Sequence, residues 1–224
     1  MNKQPTFIDV MRHGEPVGTC SKGGTILRGS TDHALTEKGW LQAHKRIEAV
    51  LREGKGWDII ISSPLIRCAE FSSSLAESQN INDCFFIKPQ WREIHYGDWD
   101  GKSTAEIWQN DSELMENMWK NPLEFCAPNG ESVKDFDQRI EQAWLDLLAE
   151  FEGKRILLVC HGGVMRLLLK QLLLLAPEGM NRFAIPYAAM FRFRIDHGEQ
   201  PNQHWPSLLS HFGGELGGEE FNDE

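Results

Sequence analysis

The sequence predicts an α/β domain: a three-layer sandwich with a central, largely parallel mixed sheet flanked by helices. Three observations carry that prediction. Five short runs rich in β-branched and aromatic residues alternate with helix-length amphipathic segments. The runs at 7–11, 58–62 and 156–160 are nearly continuous in apolar character, as in strands covered on both faces. Strands separated by helices pair in parallel through crossovers. With 224 residues, 41% of them hydrophobic, the chain is large enough to close one such core.

The first strand, 7–11, ends abruptly on Arg12, His13 and Gly14. "LTEKGWLQAHKRIEAVLREG" then reads as a helix, with Thr36 as N-cap, Trp40, Ala43, Ile47, Val50 and Leu51 at helical spacing, and Gly54 beyond the end. The second strand, 58–62, runs into "SSPLIRC" and the helical "RCAEFSSSLAES". A third strand, 84–87, leads to "WREIHYGDWDG". Residues 104–126, with Trp108 and Trp119 in a helical, acidic context, read as an excursion from the sheet. "SVKDFDQRIEQAWLDLLAEF" precedes the fourth strand, 156–160, after which "CHGG" opens "GVMRLLLKQLLLLA", stopped by Pro177. In the fifth strand, 190–195, alternation puts Phe191, Phe193 and Ile195 on one face and Arg192 and Arg194 on the other, which predicts a half-buried edge strand. One domain over 1–200 follows, and the glycine-rich, acidic 201–224 reads as a partly disordered tail.

A net charge of −10 argues against nucleic-acid and anionic-membrane surfaces, so any phosphate site requires a local basic pocket. Five widely spaced cysteines without a C-x-x-C pair, Cys20, Cys68, Cys84, Cys126 and Cys160, read as reduced cytoplasmic thiols. The N-terminus reaches charged residues too soon for a signal peptide, and the most apolar stretch is interrupted by His161, Arg166 and Lys170. His33, His44, His95, His197, His204 and His211 lack metal-ligand spacing and read as surface residues; no metal or cofactor is implied.

In open parallel sheets ligands bind beyond the carboxyl ends of the strands. Arg12, His13, Arg67, Glu93 and His161 all fall there on this reading. Guanidinium forks, imidazoles and one carboxyl group converging at a sheet edge suit a tetrahedral dianion. A helix opening at Gly162 would add its positive N-terminal end, with the glycine keeping the approach clear.

The blocks "RHGEP", "DHALTEKGWLQA", "SSPLIRCAEF", "WREIHYGDWDG", "APNGESVKDFDQRI" and "LLVCHGGVMRLLL" resemble, in order and spacing, the histidine phosphatase superfamily, which also contains the cofactor-dependent phosphoglycerate mutases. That resemblance implies a phosphoglycerate mutase-like fold. It also implies a phosphohistidine mechanism with His13 as nucleophile, Arg12, Arg67 and His161 around the phosphoryl oxygens, and Glu93 as proton carrier. "GDWDG" and "PNGE" are most similar to the α-ribazole-5′-phosphate phosphatases of cobalamin lower-ligand assembly; mutases read more like Y-G-x-L-x-G-L-N-K at the first block. The expected partner is a small phosphomonoester. A general small-molecule phosphatase, a phosphoglycerate mutase and a non-catalytic phospho-ligand binding protein are the alternatives.

Two positions depart from the family pattern: Thr19 stands where asparagine is common, and Arg28, before Gly29, where a small hydroxyl residue is common. Both are candidate substrate contacts, with Gly29 and Gly162. "CHGGVMR" also satisfies C-x5-R, the loop of thiol phosphatases, which would make Cys160 the nucleophile, although Val159 replaces that loop's usual histidine. Trp108 and Trp119 are candidates for a lid that stacks on an aromatic leaving group.

Overall fold

The apolar runs pair over long sequence distances into one six-stranded sheet. A computed structural model describes residues 3–21, 24–54, 56–200 and 202–213. The strands are β1 (Thr6–Arg12), the short pair β2 (Cys20–Ser21) and β3 (Gly24–Thr25), β4 (Ile59–Ser62), β5 (Phe85–Ile87), β6 (Arg155–Cys160), β7 (Met190–His197) and β8 (His204–Phe212). The main sheet has the order β5-β4-β6-β1-β7-β8. Its first four strands are parallel, β7 is antiparallel to β1, and β8 is antiparallel to β7.

Each central strand divides its side chains between two cores, as the period-2 geometry of a strand requires. Ile59, Ile61, Ile156 and Leu158 face one layer, while Ile60, Leu157 and Val159 face the other. The helices are α1 (Glu37–Leu51), α2 (Ile66–Ser78), α3 (Thr104–Asn110), α4 (Ser112–Lys120), α5 (Val133–Glu150) and α6 (Gly162–Leu172). Helices α1 and α2 cover the second core through Ile47, Val50, Phe71 and Leu75; α5 and α6 cover the first through Ile140, Leu147, Leu167 and Leu168. Each such side chain contributes roughly 1.5–3 kcal/mol on burial. Thr36 caps α1 by accepting from the Gly39 backbone N–H, as the sequence predicts.

Four expectations need correction. Strand β7 is interior, because β8 pairs along it from Met190 to His197. Arg192 is accordingly buried, held by Asp9 at 2.8 and 3.1 Å and by Glu53 at 2.8 Å, with Asp9 also accepting from Trp57 Nε1 at 2.8 Å. The tail begins later than expected, since 204–212 is strand; residues 214–224 lie outside the described ones. His197 and His204, read as surface residues, are half-buried cross-strand neighbours with Nδ1 atoms 2.9 Å apart, and His197 also contacts Thr6. Helix α6 stops at Leu172, five residues before Pro177, as Leu174 turns to φ 53°.

Residues 104–126 do leave the sheet, forming α3, α4 and a 3-10 turn at Pro122–Glu124. No helix among the described residues is long and apolar enough to cross a membrane. Cys68, Cys84, Cys126 and Cys160 are free thiols; the Cys20 side chain lies outside the described ones.

Candidate active site

The carboxyl ends of β1, β4 and β6 open on a cleft of about 400 Å³. Arg12, His13, Arg28, Arg67, Glu93 and Gly162 line it. His161 lies immediately behind, its ring edge-on to that of His13 with centroids 5.3 Å apart.

His13 is fixed at both ends. Its backbone N–H donates to the Cys160 carbonyl at 3.0 Å, tying the end of β1 to that of β6. Its Nδ1 lies 2.7 Å from the Gly14 carbonyl oxygen. A carbonyl can only accept, so Nδ1 carries the proton, and in the neutral ring Nε2 keeps its lone pair. Burial, then the charges of Arg67 and Arg12, hold the ring well below the ordinary imidazole range, which keeps it neutral and nucleophilic. His161 is likewise held neutral, by burial first and Arg67 second, and its Nε2 lies 2.6 Å from Ser63 Oγ.

The two guanidinium groups are oriented by carbonyls. Arg12 donates to the Ile185 carbonyl and sits 4.2 Å over the Tyr187 ring, a cation–π contact that holds the fork flat against the cleft wall. Arg67, from the first turn of α2, is 1% exposed and donates to Thr31 O at 2.9 Å and Gly29 O at 3.2 Å, with Asp32 at 3.8 Å. Nε of each is buried without a partner. A half-buried and a buried guanidinium, each with an unpartnered Nε, beside neutral imidazoles suit an anion.

The loop that holds Arg67 is itself fastened by Asp100 of the "GDWDG" block, which accepts from the backbone and hydroxyl groups of Ser30 and Thr31. Burial opposes the charge on Asp100, but hydrogen bonds from Thr31 and Ser30 outweigh it and keep the carboxyl below its usual range.

Glu93 rests on the N-terminus of α6. Its Oε2 accepts from Gly163 N at 2.9 Å, and its Oε1 from Ile94 N at 3.1 Å. A Cβ at Gly163 would overlap Glu93 Oε1, so the glycine is what lets the carboxylate rest against the helix end. The loop behind Glu93 is braced by the "PNGE" block: Glu131 receives Arg139 in a two-point bond of 2.9 and 2.7 Å, and Arg139 also donates to Gln90 O at 2.6 Å and Arg92 O at 3.1 Å.

Of the four candidate substrate contacts, two face the cleft. Gly162 begins α6 there, and a Cβ on it would enter the space before Arg12 Nε and Arg166 Nη1, at 3.6 and 3.5 Å. Arg28 lines the cleft while donating to the Gly18 and Val17 carbonyls and, from Nε, to His33 Nδ1 at 3.2 Å. Thr19 is not among the lining residues; its hydroxyl donates to the Pro16 carbonyl. Gly29 acts indirectly, packing so close to Ile94 that a Cβ would strike its carbonyl oxygen while its own carbonyl orients Arg67.

Cys160 does not line the cleft. Its thiol is fully buried in the core, and burial pushes it well above the ordinary range, so the thiolate that C-x5-R chemistry requires is disfavoured. Neighbouring Cys68 is pushed up to about 12 by the same cause.

Sequence reasoning missed Tyr96, Tyr187, Arg166 and Asn181, all of which line the cleft. For Arg166 a signal existed: it stands four residues after Gly162, one helical turn away on the same face. The excursion supplies Thr104, Met115, Met118 and Trp119 as an opposite wall, whereas Trp108 is 42% exposed and outside the lining.

The sequence profile of the histidine phosphatase superfamily (branch 1) matches residues 8–207. An adenosylcobalamin/alpha-ribazole phosphatase of Escherichia coli (strain K12) is 30% identical over 191 residues, covering 84% of this chain and 85% of that one. A 2,3-bisphosphoglycerate-dependent phosphoglycerate mutase of Bartonella henselae is 27% identical over 175 residues, covering 77% and 81%. Among solved structures, the alpha-ribazole phosphatase from Shigella flexneri superposes with a TM-score of 0.72 at 25% identity, covering 95% of this chain and 99% of its own.

Proposed function

Because the chain belongs to the histidine phosphatase superfamily and is a phosphatase, we propose that it hydrolyses small phosphomonoesters through a phosphohistidine on His13, with α-ribazole 5′-phosphate as substrate. The observation that carries the mechanism is the Nδ1–H···O=C bond from His13 to Gly14, which leaves the Nε2 lone pair free between Arg12 and Arg67. In the first step Nε2 attacks phosphorus, the ester P–O bond breaks, and Glu93 gives its proton to the departing alkoxide. In the second, water attacks the phosphohistidine, Glu93 takes a proton from that water, the P–N bond breaks, and inorganic phosphate leaves. Arg12, Arg67, His161 and the N-terminus of α6 stabilise the charge that spreads over the phosphoryl oxygens in both transition states.

The substrate reading is supported by the two α-ribazole phosphatases to which the chain is similar and by the wall opposite His13. Ile26, Leu27, Met115, Met118 and Trp119 form an apolar surface there, suited to a flat aromatic base. Similarity to the mutase supports phosphoglycerate mutase as the second reading. Cytoplasmic location belongs to the same proposal and rests on the odd number and wide spacing of the cysteines.

A substrate panel tests the proposal. Phosphate release from α-ribazole 5′-phosphate, ribose 5-phosphate and 3-phosphoglycerate should give the highest kcat/KM for the first. Interconversion of phosphoglycerates without net phosphate release would contradict it.

A further inference from the structure

Arg166 is a cation that the two-step mechanism does not use. It lies one turn into α6, half-buried, and lines the cleft. Its Nη1 and Arg12 Nε stand 3.5 and 3.6 Å from the same point in front of Gly162. Two like charges brought this close, offset at Arg12 by the Ile185 carbonyl and the Glu93 carboxylate, favour further acceptor oxygens between them.

Its bonding sets it apart from the arginines that brace the fold. Nε of Arg139 donates to Glu131, that of Arg155 to the Gly56 carbonyl, and that of Arg192 to Asp9. Nε of Arg166 is buried without a partner, a condition it shares with Arg12 and Arg67. Among the described residues, then, Arg166 is bonded like a ligand-binding arginine rather than a structural one.

Its position separates it from the phosphoryl clamp as well. Behind Arg166 the cleft continues into a side pocket of about 60 Å³ that Arg166 shares with Tyr96, Met118 and Asn181, and that His13, Arg12 and Arg67 do not line. Burial pushes the Tyr96 phenol up, so it stays a neutral hydroxyl. Val133, Phe136 and Met180 close the pocket with apolar surface, in which a guanidinium gains most from an acceptor. On the proposed mechanism Arg12, Arg67 and His161 serve the phosphoryl oxygens, which leaves Arg166, at the mouth of the side pocket, to meet the alcohol being released.

We propose that Arg166 is a specificity-determining residue that donates to an accepting oxygen, a hydroxyl or a carboxylate, carried by the leaving group. The inference rests on the phosphomonoesterase reading and narrows its substrate class to oxygen-bearing alcohols. It makes Gly162 the floor between two stations, with Arg12 gripping the phosphoryl group and Arg166 the alcohol.

The test compares kcat/KM for ribose 5-phosphate, 3-phosphoglycerate and phenyl phosphate in wild type, R166Q and R166K. Phenyl phosphate carries no oxygen beyond its ester. The ratio of either oxygen-bearing substrate to phenyl phosphate should fall about tenfold or more in R166Q, the range of a lost hydrogen bond to a charged group, and recover in part in R166K. A larger fall with 3-phosphoglycerate identifies a carboxylate as the preferred acceptor; a larger fall with ribose 5-phosphate identifies a hydroxyl. An equal loss on all three esters, or no loss on any, would overturn the proposal. Residual phenyl phosphate hydrolysis reports that the variants are folded, and R166K, which keeps the charge, preserves the comparison if R166Q is not. Failure of the parent reading looks different: wild type would release no phosphate from any ester, or His13→Ala would match it.

Discussion

The two ends of the cleft are built in opposite ways. At the phosphoryl end, His13, Arg67, Glu93 and His161 are all less than 10% exposed and come from segments that only the sheet brings together. Each is held by identifiable bonds: Gly14 for His13, the Gly29 and Thr31 carbonyls for Arg67, the α6 N-terminus for Glu93 and Ser63 for His161. At the leaving-group end, two short helices, α3 and α4, carry the wall, and Trp119 is 52% exposed. That wall is seated by Ile107 and Met115 in the core and tied by the bonds from Trp99 Nε1 to Asp111 at 3.0 Å and from Asn181 Nδ2 to the Met118 carbonyl at 3.1 Å. On the proposed mechanism the chemistry is held by a buried frame, while selectivity rests on a more exposed surface.

Substitutions at the two ends should therefore differ in size and in kind. His13→Ala should reduce phosphate release by on the order of 10⁴-fold or more for every ester, since it removes the nucleophile itself. Cys160→Ser should change turnover by about twofold or less, because that buried thiol does not reach the cleft. Reversal of that order in steady-state assays of folded proteins would return the nucleophile's role to the cysteine.

Glu93→Gln should cost about 10²- to 10⁴-fold on alkyl phosphates, and much less on p-nitrophenyl phosphate, whose leaving group departs without a proton. Gly163→Ala should imitate it with a smaller loss, of about tenfold or more, as its Cβ displaces the Glu93 carboxylate. Equal losses on both ester types would show that Glu93 is not the acid.

Trp119→Ala should act on selectivity instead. Discrimination of α-ribazole 5′-phosphate over ribose 5-phosphate should fall about two- to tenfold, the range of one lost aromatic contact. An unchanged ratio would remove the wall from substrate recognition.

The smallest effect is on stability. His13 and His161 are neutral when folded because their pKa values lie well below the usual 6.5. Above about pH 6.5 neither state binds the extra protons, and the stability is fully present. As pH falls below that value the unfolded chain takes up one proton per ring while the folded protein does not, so stability declines by at most about 1.4 kcal/mol per pH unit for each ring. Urea unfolding between pH 6.5 and 5 should show a shallower decline for His13→Asn than for wild type; equal slopes would mean that the ring is not held neutral.

The same contrast governs what the sequence reveals. At the phosphoryl end the residues sit at or just beyond strand ends, which are readable from apolar runs that break on Arg12, on Ser62 five residues before Arg67, and on His161. Glu93 and the "GDWDG" and "PNGE" blocks were legible through the family resemblance, although the bracing roles of Asp100, Glu131 and Arg139 emerge only in three dimensions. Tyr187, beneath Arg12, and Asn181, in the short 3-10 helix Pro177–Arg182, lie between α6 and β7, where no periodicity marks them. Strand β8 was illegible for a related reason: Pro206 signals a breaker, and the ladder that overrides it is supplied by β7. Arg192 looked outward by alternation because nothing local to β7 announces Asp9, its partner across β1.

The proposed mechanism depends most on the ring of His13 carrying the phosphoryl group. Rapid quenching of wild-type enzyme during turnover, followed by peptide mapping under conditions that preserve phosphohistidine, tests this directly. The predicted result is an acid-labile phosphoryl group on the peptide containing His13, absent from the His13→Ala protein. A phosphoryl group on the Cys160 peptide, or full turnover with no adduct on either, would contradict it.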